Sequence, residues 1–416
     1  MRVVFCGGGT GGHVYPALTV ANALRRMFEE GSDDASSPVA AAVEAIGQSG
    51  NRAIGAEVPA ATKGPGADDE TYIRAFREGL DILYIGVRGK MDADLVGREN
   101  IPFVAVTAGP LRTPSLAGTA RGVLKLLEGT AQAYSILGRF QPDVVFATGG
   151  YGSAGVGLAA RLRRLPLLLF EPGPEAGLAV RLLARLADRI AVTIPPAYDA
   201  MPKSKTVVLG YPVRPAFFEA NREDAREHFG LDPAMPVLLV SGASSGANRL
   251  NQAIAGWLSD YLRLTQLIHL CGANDEAWLR SERAKLPADL QQRYHLHAYL
   301  HDDMALALAA ADLAVMRSGA SVLGELPATR LPAILVPGEY EGWDQSNNAR
   351  YLESESAALM LPQSLLSEIF DTVSTLLRDA ARLDAMRKAL EGLARPNAAN
   401  DLARLVIEMA GTKVLA

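Results

Sequence analysis

The 416-residue sequence predicts an α/β protein of two domains, each built on a parallel sheet with helices on both faces. Three observations predict it. Short continuous apolar runs recur along the chain, and helical patterns lie between most of them. The series also falls into halves that each open with an apolar strand running into a glycine turn, "VVFCGGGTGG" and "LLVSGASSGA".

In chain order, the first half supplies "RVVFC", "ILYIGV", "FVAVTA", "DVVFATGG", "LLLFEP", "RIAVTI" and "KTVVLG". The second supplies "PVLLVSG", "LIHLCG", "YHLHAYL", "LAVMRS" and "AILVPG". Runs of this kind suit strands buried on both faces. Two Rossmann-like domains are expected, 1–210 and 211–396, with a hinge near "LGYPVRP", where Gly210 and two prolines interrupt regular structure. Residues 397–416 have helical spacing and are expected to return to the first domain. Ligands of such sheets lie at the carboxyl ends of the strands, so a cleft between the domains is the expected site. Residues 31–72, rich in Ala, Gly, Ser and Asp, stand where a βαβ unit takes a short turn. They read as an inserted, partly disordered surface loop, with a small subdomain as the alternative.

Composition narrows the function. The chain is 49% hydrophobic and 21% charged with a net charge of -5, and it has no long Lys/Arg run, which argues against a nucleic-acid binder. Cys6 and Cys271 each lie in an apolar run and read as buried free thiols, which fits a reducing cytosol. No signal-peptide pattern and no run near the ~18 apolar residues of a membrane span is expected.

The glycine-rich turn "FCGGGTGGHVYP" carries the first functional signal. Gly7, Gly9 and Gly12 satisfy G-x-G-x-x-G between a strand and a helix. NAD is disfavoured because the next strand ends "YIGVRGK" and lacks the acidic residue that holds the ribose. A P-loop fails because His13 stands in place of its lysine. What remains is bare backbone at a helix N-terminus, suited to a diphosphate, with one imidazole at its rim. His13 there suits binding or acid/base work, against the ordinary reading of a capping or packing histidine.

"GGGTGGHVYPALTVANAL" resembles the N-terminal signature of the MurG family, UDP-N-acetylglucosamine:lipid I N-acetylglucosaminyltransferases of bacterial cell-wall synthesis. The resemblance continues through "YIGVRGKMDADLV", "IPFVAV", "PDVVFATGGYGSAGVGLAARL", "GYPVRP", "SGASSGANRLN", "RSGASVLGEL" and "WDQSNNA". It implies a GT-B fold and an inverting family 28 transferase that moves GlcNAc from UDP-GlcNAc to the 4-hydroxyl of MurNAc in undecaprenyl-linked lipid I, giving lipid II. It further implies work at the cytoplasmic face of the cell membrane, peripheral attachment to the inner leaflet, and contact with other cell-wall synthesis proteins. No cofactor is implied, and no metal site.

For the donor, the resemblance implies Ser318, Gly319 and Ala320 after Arg317 as a diphosphate turn, with Glu325 on the ribose hydroxyls. Asp344 and Gln345, with Asn348 nearby, would read the sugar. Ser244, Ser245 and Gly246 form a second donor turn, Arg214 approaches the phosphates or sugar, and His301 matches a uracil-contacting position. For the acceptor, Thr10, Gly11, Gly12, His13, Gly149, Gly150, Tyr151 and Ser153 are the expected contacts. His13 is the first candidate for the base and Glu171 the second. A solvated Glu325, a loop His301 without a ligand role, and structural hydrogen bonding of His13 or Glu171 are the plain alternatives.

The chain departs from the family pattern at three places. "HEQN" has become "FEPG", losing the His and Asn at Phe170 and Gly173; "GNPVR" is "GYPVR"; and a Thr of the phosphate turn is Val322. The "DAD" of Asp92 to Asp94 fits a metal-binding D-x-D but reads as structural or solvated, and His295 with His297 lacks the further ligands of a zinc site. In "LRTPSLAGTARGVLKLLEG", Leu116, Val123, Leu124 and Leu127 mix with Arg112, Arg121 and Lys125, which suits either an anionic membrane surface or a half-buried helix. Two other readings stay open: a GT-B enzyme with another acceptor, or a UDP-GlcNAc epimerase, and a catalytically inactive nucleotide-sugar-binding paralogue.

Overall fold

The computed structural model describes residues 1–8, 11–31, 79–110, 115–174, 176–195, 201–242, 247–340 and 343–412. Side chains of 31, 116, 339, 340, 343, 344 and 412 fall outside that description. The expected insertion, 31–72, lies outside the described residues except for Gly31, which ends the first helix. Two compact units emerge, Met1–Pro212 with Asn397–Ala416, and Val213–Pro396.

Strands of the first unit are β1 (Arg2–Cys6), β2 (Asp81–Val87), β3 (Phe103–Val106), β4 (Val144–Ala147), β5 (Leu167–Glu171), β6 (Arg189–Val192) and β7 (Thr206–Val208). They form a parallel sheet in the order β3-β2-β1-β4-β5-β6-β7. Helices α1 (Gly11–Gly31), α2 (Asp92–Arg98), α3 (Leu116–Phe140), α4 (Gly150–Leu162) and α5 (Leu178–Leu186) connect them. The central strands read as unbroken apolar runs because both faces are covered: Val3 to Cys6 and Val144 to Ala147 are fully buried. The helix Ala398–Thr412 packs against α1 within this unit.

In the second unit, β8 (Val237–Ser241), β9 (Gln266–Leu270), β10 (Tyr294–His297), β11 (Leu313–Met316) and β12 (Ala333–Leu335) join a later strand. Two short strands, β13 (Glu339–Tyr340) and β14 (Trp343–Asp344), pair antiparallel before β15 (Ala358–Met360). The sheet is parallel in the order β10-β9-β8-β11-β12-β15.

Each order reverses direction once, between β1 and β4 and between β8 and β11. Parallel strands put all their carboxyl ends on one edge, and the reversal sends neighbouring helices to opposite faces, which opens a crevice there. The turns after β1 and β4, and those after β8 and β11, therefore occupy the ligand-binding positions of their own sheets.

Candidate functional site

In the first unit the crevice is built around His13, which lies in the first turn of α1, directly after the glycine turn. Its Nδ1 lies 2.7 Å from the carbonyl oxygen of Thr148, the residue that follows β4. A carbonyl only accepts, so Nδ1 carries the proton and Nε2 of the neutral ring holds the lone pair. The Thr148 hydroxyl returns the tie by donating to the His13 carbonyl at 2.7 Å. Burial lowers the His13 pKa, while the Thr148 carbonyl and the charge of Asp92 pull it the other way. The ring is held in one orientation and neutral at physiological pH.

Gly149 and Gly150 lie beside this ring with φ of 78° and 72°. A Cβ on Gly150 would stand 3.1 Å from the Gly8 carbonyl oxygen and 3.5 Å from His13 Nε2. Only glycine combines that backbone with that closeness. A Cβ on Gly149 would stand 3.5 Å from His13 Cε1 and 3.7 Å from Oε2 of Glu171, so the imidazole and this carboxyl flank one glycine.

Glu171 closes β5 and is 4% exposed. Its Oε1 accepts from the Gly173 amide at 3.1 Å, and Oε2 has no partner among the described residues. Burial pushes its pKa up to about 8, against the single stabilising amide. At neutral pH Glu171 is therefore mainly a carboxylic acid, able to donate a hydrogen bond and poorly placed to remove a proton. Of the two candidates of the sequence, His13 presents an unprotonated nitrogen at neutral pH and Glu171 mainly a protonated oxygen. Glu171→Gln keeps the neutral shape, so transfer at pH 7 is expected within about threefold of wild type, against a loss of tenfold or more in Glu171→Ala. Thermal melts carry a second check. The raised pKa favours the folded state below about pH 4.5, and that contribution is lost as pH rises through about 8. Wild type is thus expected to lose stability between about pH 4.5 and 8 relative to Glu171→Gln, with no further relative change above.

Other acceptor-side expectations divide. Gly11, Gly12 and Tyr151 are half-buried at the two turns. Ser153 is fully buried and its hydroxyl donates to the carbonyls of Gly149, at 2.7 Å, and Gly150, at 3.0 Å, so it shapes the turn instead of facing a ligand. Thr10 lies outside the described residues. Thr148, which orients the His13 ring, was not singled out in the sequence. Its signal is a hydroxyl residue between a buried strand and a glycine pair.

Two departures from the family pattern turn out to be one. Phe170 is fully buried, with its ring 6.4 Å from that of Phe146 and 6.4 Å from that of Tyr211, the Tyr of "GYPVR". The alternation of β5 sends Phe170 away from the crevice face that carries Glu171. An aromatic contact has thus taken both altered positions into the core. Phe170→Ala and Tyr211→Ala are expected to couple by about 0.5–1.5 kcal/mol in a double-mutant cycle of stability.

The "DAD" pair separates as well. Asp92 is fully buried and accepts from the Val87 amide at 2.9 Å, whereas Asp94 is exposed. His295 and His297 stand half-buried on β10.

In the second unit, the turn after β11 leads into the helix Val322–Thr329. Gly319 and Ala320 are half-buried at its mouth, and Ser318 is buried. The Ser318 hydroxyl donates to the Gln345 carbonyl at 3.0 Å, and Asn348 Nδ2 donates to the Ser318 carbonyl at 2.8 Å. Gln345 Oε1 accepts from the Gly338 amide at 2.9 Å. Gln345, Asn348 and the turn are therefore one assembly, with Gln345 Nε2 3.9 Å from where a Gly319 Cβ would stand. Arg317 is buried and donates to the carbonyls of Val336 and Pro337 and to Gln363 Oε1, a structural use of its charge.

Glu325 is half-buried one turn into that helix. Burial raises its pKa, opposed by a hydrogen bond from Ser321 and by the charge of Arg214. Arg214 donates to the His301 carbonyl at 3.3 Å and faces Asp302 at 3.7 Å. The His301 side chain is exposed, with its ring 4.4 Å from that of Tyr299. Arg214, His301 and Glu325 thus share one neighbourhood. Ser244, Ser245 and Gly246 lie outside the described residues, as does the side chain of Asp344, whose backbone pairs with Glu339.

The arrangement in the second unit offers helix-end amides to a diphosphate and a carboxyl to hydroxyls, while the first unit offers an oriented base. The N-terminal domain of glycosyltransferase family 28 matches residues 75–192 and its C-terminal domain matches residues 237–402. A Roseiflexus sp. protein named "UDP-N-acetylglucosamine--N-acetylmuramyl-(pentapeptide) pyrophosphoryl-undecaprenol N-acetylglucosamine transferase" is 37% identical over 98% of this chain and 94% of its own length. A protein of the same name from Desulforudis audaxviator is 32% identical over 99% of both chains. Among solved structures, Acinetobacter baumannii MurG is similar with a TM-score of 0.66 and 24% identity over 98% of this chain and 99% of that one. A Neisseria meningitidis UDP-GlcNAc 2-epimerase bound to UDP-GlcNAc gives 0.61 at 12% identity over 98% and 100%. These likenesses give the GT-B fold. Identity to full-length relatives gives the family: the chain belongs to glycosyltransferase family 28 and, within it, to the MurG family of N-acetylglucosaminyltransferases.

Proposed function

We propose that the protein transfers GlcNAc from UDP-GlcNAc to the 4-hydroxyl of MurNAc in undecaprenyl-diphospho-MurNAc-pentapeptide, with inversion, converting lipid I to lipid II. The observation that carries the mechanism is the Thr148 tie, which leaves His13 Nε2 as an oriented lone pair. His13 removes the proton of the attacking hydroxyl as the bond to the anomeric carbon forms and UDP departs. Glu171, protonated, donates a hydrogen bond to the acceptor. The amides opening Val322–Thr329, with Arg214, receive the diphosphate charge that grows on the leaving group, and Glu325 accepts from the ribose hydroxyls. Gln345 and Asn348 hold the diphosphate turn at Ser318 in place.

Incubation with UDP-GlcNAc and a lipid I analogue tests this reading. UDP release that depends on the acceptor supports it. UDP release without acceptor, accompanied by a 2-epimerised sugar, would establish the epimerase reading instead, and donor binding without turnover the inactive-paralogue reading.

Peripheral attachment to the inner leaflet is part of the proposal. On α3, Leu124 is 66% exposed and Leu127 61% exposed, beside exposed Arg121 and Lys125. Such a patch suits an anionic lipid surface better than it suits water. Leu116 and Arg112 lie outside the described side chains, and no described helix is long and apolar enough to cross a membrane. A Leu124→Asp/Leu127→Asp variant is expected to lose co-sedimentation with anionic vesicles by tenfold or more while keeping transfer to a short-chain soluble acceptor. Unchanged sedimentation would remove α3 from the membrane reading.

A further inference from the structure

We propose that Asp92 is a positioning residue for His13, acting through the Gly8 backbone, which its carboxylate contacts and whose carbonyl reaches the Gly150 turn beside the imidazole. The role rests on reading His13 as the base. Asp92 opens α2, and its Oδ2 accepts from the Val87 amide at the end of β2. A Cβ on Gly8 would stand 2.0 Å from that same Oδ2 and 2.8 Å from Cγ, so the carboxylate lies directly on the Gly8 backbone, which has φ of 136°. The Gly8 carbonyl oxygen in turn comes within 3.1 Å of where a Gly150 Cβ would stand, and that point is 3.3 Å from His13 Cδ2. One residue of backbone therefore separates the buried acid from the turn that holds the base.

A group that merely filled space here would be apolar, because burying a carboxylate costs several kcal/mol that an apolar side chain avoids. Asp92 is fully buried. Its position gives the charge a use. His13 gains a positive charge when it takes the hydroxyl proton, and the negative charge of Asp92 favours that form against the burial that opposes it. Among the described residues, the other groups facing the ring are the Thr148 carbonyl, already bonded to Nδ1, and Glu171, which is mainly uncharged below about pH 8. Asp92 therefore supplies the charge that answers the imidazolium, and it does so through a turn that admits only glycine at position 8.

Asp92→Asn keeps an oxygen for the Val87 amide and removes the charge. The readouts are the titration of His13 by NMR in the full-length protein with labelled histidine, the signal assigned with His13→Gln, and kcat against KM for UDP-GlcNAc. The expected result is a His13 titration moved to lower pH, kcat reduced about 5- to 30-fold at neutral pH, and KM for UDP-GlcNAc within twofold. Asp92→Ser, which also removes the charge while leaving position 8 as glycine, is expected to move the His13 signal as well and serves if Asp92→Asn does not fold. A His13 titration unchanged in the variants that fold overturns the proposal. If the titration moves while kcat is indifferent to both Asp92→Asn and His13→Gln, the placement of Asp92 stands and the base reading of His13 falls.

Discussion

His13→Gln is expected to lower kcat by about 100-fold or more while leaving the KM for UDP-GlcNAc within about threefold. The expectation follows from what the side chain is given to do. Thr148 takes up Nδ1, so the ring is oriented but its reactive nitrogen is left for a substrate proton. Burial keeps it neutral and therefore competent as a base. A glutamine can mimic the hydrogen bond to Thr148 but cannot accept and carry a proton. The loss therefore belongs in turnover, since nothing about donor affinity depends on the group. Steady-state kinetics with a lipid I analogue separate the two parameters. A loss confined to KM for the donor would move His13 out of the chemical step.

Glu325→Ala carries the second large effect, a loss of about 100-fold or more in affinity for UDP and UDP-GlcNAc. Two ribose hydroxyls donating to one carboxylate are charge-assisted bonds, worth about 1.5–3 kcal/mol each. Burial raises the pKa of this carboxyl, and both Ser321 and Arg214 restrain the rise. The nucleotide favours the ionised form, so affinity is present above the raised pKa and is lost as pH falls through it. Titration calorimetry with UDP is expected to show a steeper fall of affinity toward acid pH in wild type than in Glu325→Gln. Equal UDP affinity in Glu325→Ala and wild type would cancel the ribose assignment.

Sequence made the strands legible wherever both faces are buried. β1, β4, β5, β8 and β11 are continuous apolar runs, and the glycine-containing segments after β1, β4, β8 and β11 stand at the reversal points of the two sheets. Elements without that signature were missed. The paired two-residue strands β13 and β14 are too short to show any period, and β15 is a three-residue edge strand within "AALM". As candidates, His13, Glu171 and Glu325 were legible from residue type, because an imidazole or a carboxyl at the end of a strand or the start of a helix has a chemistry of its own. The protonation state of the imidazole and of Glu171 was not legible. It depends on a backbone carbonyl that chooses the histidine tautomer and on burial that neutralises the glutamate, both set by residues distant in sequence. The same distance hid the contact of Phe170 with Tyr211, 41 positions apart, which turns two apparent losses of polar function into one piece of core packing.

The configuration of the new glycosidic bond tests the central claim most directly. The protein is incubated with UDP-GlcNAc and a lipid I analogue, and the disaccharide product is isolated for proton NMR. A β-configured GlcNAc on the 4-oxygen of MurNAc, inverted from the α-linked donor, is the predicted result. An α linkage, a bond to another oxygen, or donor consumption without any disaccharide would contradict it.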